Sequence, residues 1–104
     1  MGRKTVEISA KVEMIIWKMG TRIKKARLRR NIMAETLAEQ VGISKGTLSA
    51  IEQGMPAVSN GAYAEVLCAL DMVSDLNGIA VDTEGKKKYE DVQLQQRKRA
   101  TKKN

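Results

Sequence analysis

Apolar residues fall at Val12, Ile16, Met19, Ile23 and Ala26, spaced four, three, four and three apart. That repeat is one face of an α-helix, and it predicts a long helix from Ser9 that ends before Asn31. A competing alternation at Val6, Ile8, Ala10, Val12 and Met14 is compatible with a short N-terminal strand, but the helical repeat runs much further. Gly20 falls inside the helix, as a kink or a second start. Asn31 to Ala34 interrupts the pattern. Leu37, Ala38 and Val41 then mark a short helix closed by Gly42, and Leu48 and Ile51 form the buried stripe of the next one. Ser44 is placed to cap that helix, and Gly54 with Pro56 to stop it. A fourth helix carries Tyr63, Val66, Leu67 and Leu70, capped by Ser59 or Asn60. A short fifth is expected near Ser74 to Ala80, with Ser74 as its cap, and DTEG (82–85) reads as a turn.

The expected architecture is therefore all-α, about five helices joined by short loops. Residues 1–8 form a flexible start, 9–80 the folded domain and 81–104 a polar, basic tail without order of its own.

Composition narrows the chemistry. The chain has 104 residues, no histidine and one cysteine, Cys68. This inventory lacks a Cys/His metal cluster, an intrachain disulfide and a base to activate the thiol. Neither a phosphate-cradling glycine loop nor a cofactor motif is present, so an enzyme is not expected and no metal or cofactor is implied. Cys68, between Leu67 and Ala69, reads as a small core or near-core residue and not a nucleophile. No apolar run is long enough for a membrane span or signal peptide, and a soluble cytoplasmic protein is expected. With no Phe, one Trp and two Tyr, aliphatic and Met side chains must make the core.

Charge is divided along the chain. Residues 22–30, RIKKARLRR, hold six basic side chains and no acid. Residues 86–104 hold eight (Lys86, Lys87, Lys88, Arg97, Lys98, Arg99, Lys102 and Lys103) against Glu90 and Asp91. Between them, residues 31–84 carry Lys45 alone against eight acids. Two basic segments flanking an acidic middle point to a polyanion partner, most simply nucleic acid, or on charge alone equally to a solvated charged helix with a disordered tail.

The 20 residues AETLAEQVGISKGTLSAIEQ (34–53) satisfy the steric rules of a helix-turn-helix. Ala38 is small where two helices meet steeply, and Gly42 suits the positive φ of the turn. Leu37, Val41, Ile43, Leu48 and Ile51 are apolar where the pair must be pinned to the first helix. The leading turns of the second motif helix are small. Gly46 costs a helix roughly 1 kcal/mol relative to Ala, which suggests that something must approach closely there.

With GTRIKKARLRR before the motif and IEQG at its end, the chain resembles the lambda-repressor/Cro-like (Xre) family of DNA-binding domains over roughly Met19 to Leu76. The resemblance implies a five-helix domain, here with an extended N-terminal helix, and a recognition helix in the major groove. It implies that Lys45, Gly46, Thr47 and Ser49, with Ala50 at the edge, face the bases. Gln53 matches a position that touches phosphate. Arg27 and Glu52 match a structural ion pair. The family opens its second helix with a Thr or Asn cap followed by a Gln that clamps phosphate. Here Met33 and Ala34 stand instead, leaving the backbone N–H groups at Ala34 and the cations Lys24, Lys25, Arg29 and Arg30 to hold phosphate.

The flanks VEMIIWKMGTRI (12–23) and VSNGAYAEVLCALDMVSDLNGIA (58–80), with the basic QRKRATKK, are similar to one branch of this family, the HipB-like antitoxins of HipA-type serine/threonine kinase toxins. That similarity implies a bacterial, nucleoid-associated homodimer that represses its own operon at a palindromic operator on double-stranded DNA and binds a kinase toxin away from the DNA. A phage or chromosomal repressor without a toxin is the alternative. Met72, Val73, Leu76 and Ile79 are the expected dimer contact, or else part of the core. Trp17 and Ile16 extend the core or that interface. Glu65, Asp71 and Asp75 suit a basic partner surface or a solvated face.

Overall fold

A computed structural model of the protein describes residues 7–88. Six helices follow in order: α1 (Ala10–Arg29), α2 (Ala34–Val41), α3 (Lys45–Glu52), α4 (Asn60–Ala69), α5 (Val73–Asn77) and α6 (Thr83–Lys88). Among the described residues there is no strand, and Ala10 to Met14 of the competing alternation are helical. Ser9 starts α1 by accepting the Val12 N–H at 3.2 Å. Asn31, at φ 54°, ends it by turning the chain into the left-handed region.

One core joins α1 to α4. Ile23 and Ala26 from α1, Leu37 and Ala38 from α2, Leu48 and Ile51 from α3, and Tyr63, Val66, Leu67 and Leu70 around α4 are all buried. The helical stripe predicted for α1 holds from Ile16 to Ala26 and fails only at Val12, which is exposed. Ile16 and Met19 pack against the core, while Val12, Met14, Ile15 and Trp17 are exposed where the first turns of α1 project past it. Together with Met55 and Pro56, Met14 and Trp17 line an apolar groove of about 560 Å³.

Gly20 neither kinks nor restarts α1, which is continuous from Ala10 to Arg29. A Cβ at Gly20 would fall 2.5 Å from the Ile51 carbonyl oxygen, 2.7 Å from the Gly54 nitrogen and 2.9 Å from the Glu52 carbonyl oxygen. The glycine exists so that the end of α3 can rest directly on the α1 backbone.

Three further expectations are corrected. The fifth helix is Val73–Asn77, and its N-cap is Met72 rather than Ser74, with no side-chain cap bond. Its end falls before Gly78 and the left-handed Ala80. DTEG is more than a turn: Asp82 accepts the Gly85 N–H at 2.9 Å and caps a sixth helix. Acid at its start and Lys86, Lys87 and Lys88 in its last turn complement the helix dipole. Lys86 to Lys88 are therefore helical, whereas the rest of the expected tail and residues 1–6 of the expected flexible start lie outside the described residues. Cys68 is exposed, not core. Successive residues on a helix turn about 100°, so with Val66 and Leu67 inward Cys68 swings out.

Candidate nucleic-acid interface

Local chemistry sets the angle between α2 and α3. Gly42, at φ 86°, closes α2, and its N–H donates to Ala38 O at 2.9 Å; Ile43 N–H donates to the same carbonyl at 3.0 Å. Two residues later Ser44 opens α3 by accepting the Thr47 N–H at 3.0 Å, while its hydroxyl donates to Thr47 Oγ1 at 3.0 Å. Leu48 and Ile51 drop into the core from the inner face of α3.

The far end of α3 is held by backbone and charge. Gly54 adopts φ 74°, and a Cβ there would lie 2.5 Å from Trp17 Cα. Tyr63 reaches across to donate its hydroxyl to Met55 O at 2.9 Å, and burial pushes its phenol up from the ordinary value. Arg27 donates from Nε to Glu52 Oε2 at 2.7 Å and from Nη2 to Oε1 at 3.1 Å, with side chains 9% and 8% exposed. Its Nη1 also donates to Ile32 O at 2.9 Å, so one guanidinium ties α1, the end of α3 and the loop before α2. The hydrogen bond to Glu52 raises Arg27 above the usual guanidinium value, and burial opposes it.

What remains outward on α3 is small and polar. Lys45, Gly46 and Ser49 are exposed, and Thr47 and Ala50 are half-buried. Gly46 meets nothing within the fold closer than Ser44 Oγ, 3.7 Å from where a Cβ would stand. A fixed helix with an outward polar leading face is a shape that enters a groove. A family model described as a helix-turn-helix domain matches residues 18–76, more than half of the chain.

The chain belongs to the helix-turn-helix domain family.

No curated protein matches it. Membership makes the chain a DNA-binding protein of regulator type, with α2 and α3 as the motif. Among the described residues, no helix is long and apolar enough to cross a membrane.

Within this helix-turn-helix domain the expected phosphate contacts are scattered. Gln53 caps α3, is exposed, and donates from Nε2 to Ser49 Oγ at 2.8 Å, which joins two expected DNA contacts. Ala34 opens α2, whose cap Met33 makes no side-chain bond, so N–H groups of that first turn lack a side-chain partner. Lys24, Lys25, Arg29 and Arg30 are exposed on α1 or at its end. At about 100° per residue, Lys24 lies roughly 40° from Gly20 and shares the side that meets α3. Lys25 and Arg29, roughly 140° and 180° away, lie on the other side. Arg30 folds back, donating from Nη1 to Ala26 O at 2.9 Å.

The expected dimer contact divides. Met72 and Leu76 pack against the core, and Val73 and Ile79 are exposed. Glu65, Asp71 and Asp75 are also exposed. One residue absent from the sequence reading is Glu35, whose Oε1 stands 3.5 Å from Lys45 Nζ. Ten positions separate the two, a spacing no helical period would flag, and only the motif's tight turn brings them together.

Proposed function

We propose that this helix-turn-helix protein is a sequence-specific transcriptional repressor, active as a homodimer on a palindromic operator. In this reading it is also the antitoxin of a HipA-like serine/threonine kinase toxin and represses the operon that encodes both. The observation that supports the reading most is the leading face of α3, exposed and small, on a helix anchored at both ends by residues that take no part in that face. Lys45 donates to guanine, Thr47 bonds a base edge or touches a thymine methyl, and Ser49 bonds either way. Gly46 lets the helix approach, and Gln53, the start of α2 at Ala34, and the cations of α1 hold phosphate. The antitoxin role is supported by the resemblance of the flanks 12–23 and 58–80. Val73 and Ile79 are apolar, exposed and available to a second copy. The protein works by binding rather than catalysis, in the bacterial cytoplasm at the nucleoid.

A mobility-shift titration against the DNA upstream of its own gene, repeated across salt, tests the repressor. Specific binding that weakens linearly in log–log salt is expected. Equal affinity for random DNA, or a flat salt response, overturns it. For the antitoxin role, a neighbouring kinase-like gene whose product co-purifies with this chain is the expected result. A solitary gene leaves the repressor without a toxin partner.

A further inference from the structure

Lys45 is the one basic residue among positions 31–84, yet it does not stand alone at the head of α3. Glu35, in the first turn of α2, brings its carboxylate to 3.5 Å from the ammonium, and both side chains are 64% exposed. Any groove that receives Lys45 therefore receives Glu35 as well. The charges cancel, so the pair adds little to the general attraction for phosphate. What it offers is a donor and an acceptor side by side.

Resting on the proposed DNA reading, we infer that Glu35 is a specificity-determining residue and that Lys45 and Glu35 together read one base pair. The major-groove edge of G·C sets guanine O6 and N7, both acceptors, beside the cytosine N4 amine, a donor. O6 and N4 are bonded to each other across the pair and so lie adjacent, as the ammonium and carboxylate do here. Lys45 donates to guanine, and Glu35 accepts from cytosine. A T·A pair presents acceptor then donor in the same order, but a methyl group replaces the second acceptor. The pairs C·G and A·T reverse the order, placing an amine toward Lys45 and a carbonyl toward Glu35. The ranking is G·C first, T·A second and the reversed pairs last.

The test uses the full chain and four duplexes that differ only at the pair where Lys45→Ala loses its preference. Wild type should hold G·C on the order of tenfold more tightly than the reversed pairs, the scale of one good base contact. Glu35→Ala should flatten that ranking at the same pair and at no other, and the double variant should lose no more than Lys45→Ala alone. Both side chains are exposed, so circular dichroism of each variant should match wild type. If Lys45→Ala shifts the ranking and Glu35→Ala leaves it intact, or tightens all four duplexes equally, this inference falls while the DNA reading stands. A wild type that prefers no sequence overturns both.

Discussion

Gly20 of α1 and Gly54 beyond α3 meet through their backbones, so closely that a Cβ on Gly20 would lie 2.7 Å from the Gly54 nitrogen. The neighbouring atoms are main chain on both sides and cannot rotate away. Replacing Gly20 with Ala should therefore cost about 3 kcal/mol, the upper range of overpacking. At this chain length that lowers Tm by roughly 12 °C or more. Thermal unfolding of Gly20→Ala measures it, and an unchanged Tm would show that the two helices can part cheaply.

The Arg27–Glu52 pair makes a second, asymmetric prediction. Arg27→Ala removes three donors and leaves the Glu52 carboxylate and the Ile32 carbonyl without them. Stranding a nearly buried charge costs about 3 kcal/mol. Glu52→Gln keeps an acceptor for Nε and should cost about half as much. Urea unfolding of the two variants compares them, and equal losses would contradict the argument.

Those two contacts divide what could be read from the chain. The stripe of Ile23, Ala26, Leu37, Leu48 and Ile51 is periodic, and periodicity is visible without coordinates. So were the Ser44 cap, the Gly42 turn and the resemblance that paired Arg27 with Glu52. The role of Gly20 is not legible in the chain, because the penalty for a side chain there comes from Ile51 and Gly54, some thirty residues away. Cys68 is exposed despite its apolar neighbours, because a neighbourhood in sequence does not give an angle on the helix. Asp82 looked like part of a turn because a cap and a turn use the same residue types. Glu35 and Lys45 were both visible, but nothing in the chain marks ten residues as a contact distance.

Tyr63 ties stability to alkaline pH. Burial raises its phenol pKa in the folded state above the ordinary value near 10. The folded protein thus holds that proton where the unfolded chain has released it. The contribution is complete below about pH 10 and is lost as pH rises through the folded value. Tyr63→Phe should cost about 1 kcal/mol at neutral pH through the lost bond to Met55 O. Its stability should then decline less steeply above pH 10 than that of wild type, as denaturation at several pH values would reveal.

Met33 occupies a cap position without a capping group, already at an extended φ of −72° and ψ of 145°. Its side chain is exposed, so little packing is lost on replacement. Met33→Thr should stabilise the fold by about 1 kcal/mol through a bond to an N–H of the first turn of α2. Chemical denaturation at neutral pH is the measurement.

Gly46 separates folding from binding in one variant. A Cβ there meets only Ser44 Oγ, at ordinary contact distance. Gly46→Ala should stabilise α3 by up to about 1 kcal/mol and at the same time weaken DNA binding. Tighter folding with undiminished DNA affinity would remove close approach as the reason for the glycine.

The outward positions of α3 belong to a different ledger of selection from the inward ones. Leu48 and Ile51 answer to the core, while Lys45, Gly46 and Ser49 touch almost nothing that the fold requires. Letters on that face can be exchanged without repacking the core. A lineage built on this scaffold can thus move to new DNA sequences by local rewriting, keeping its architecture while its vocabulary drifts.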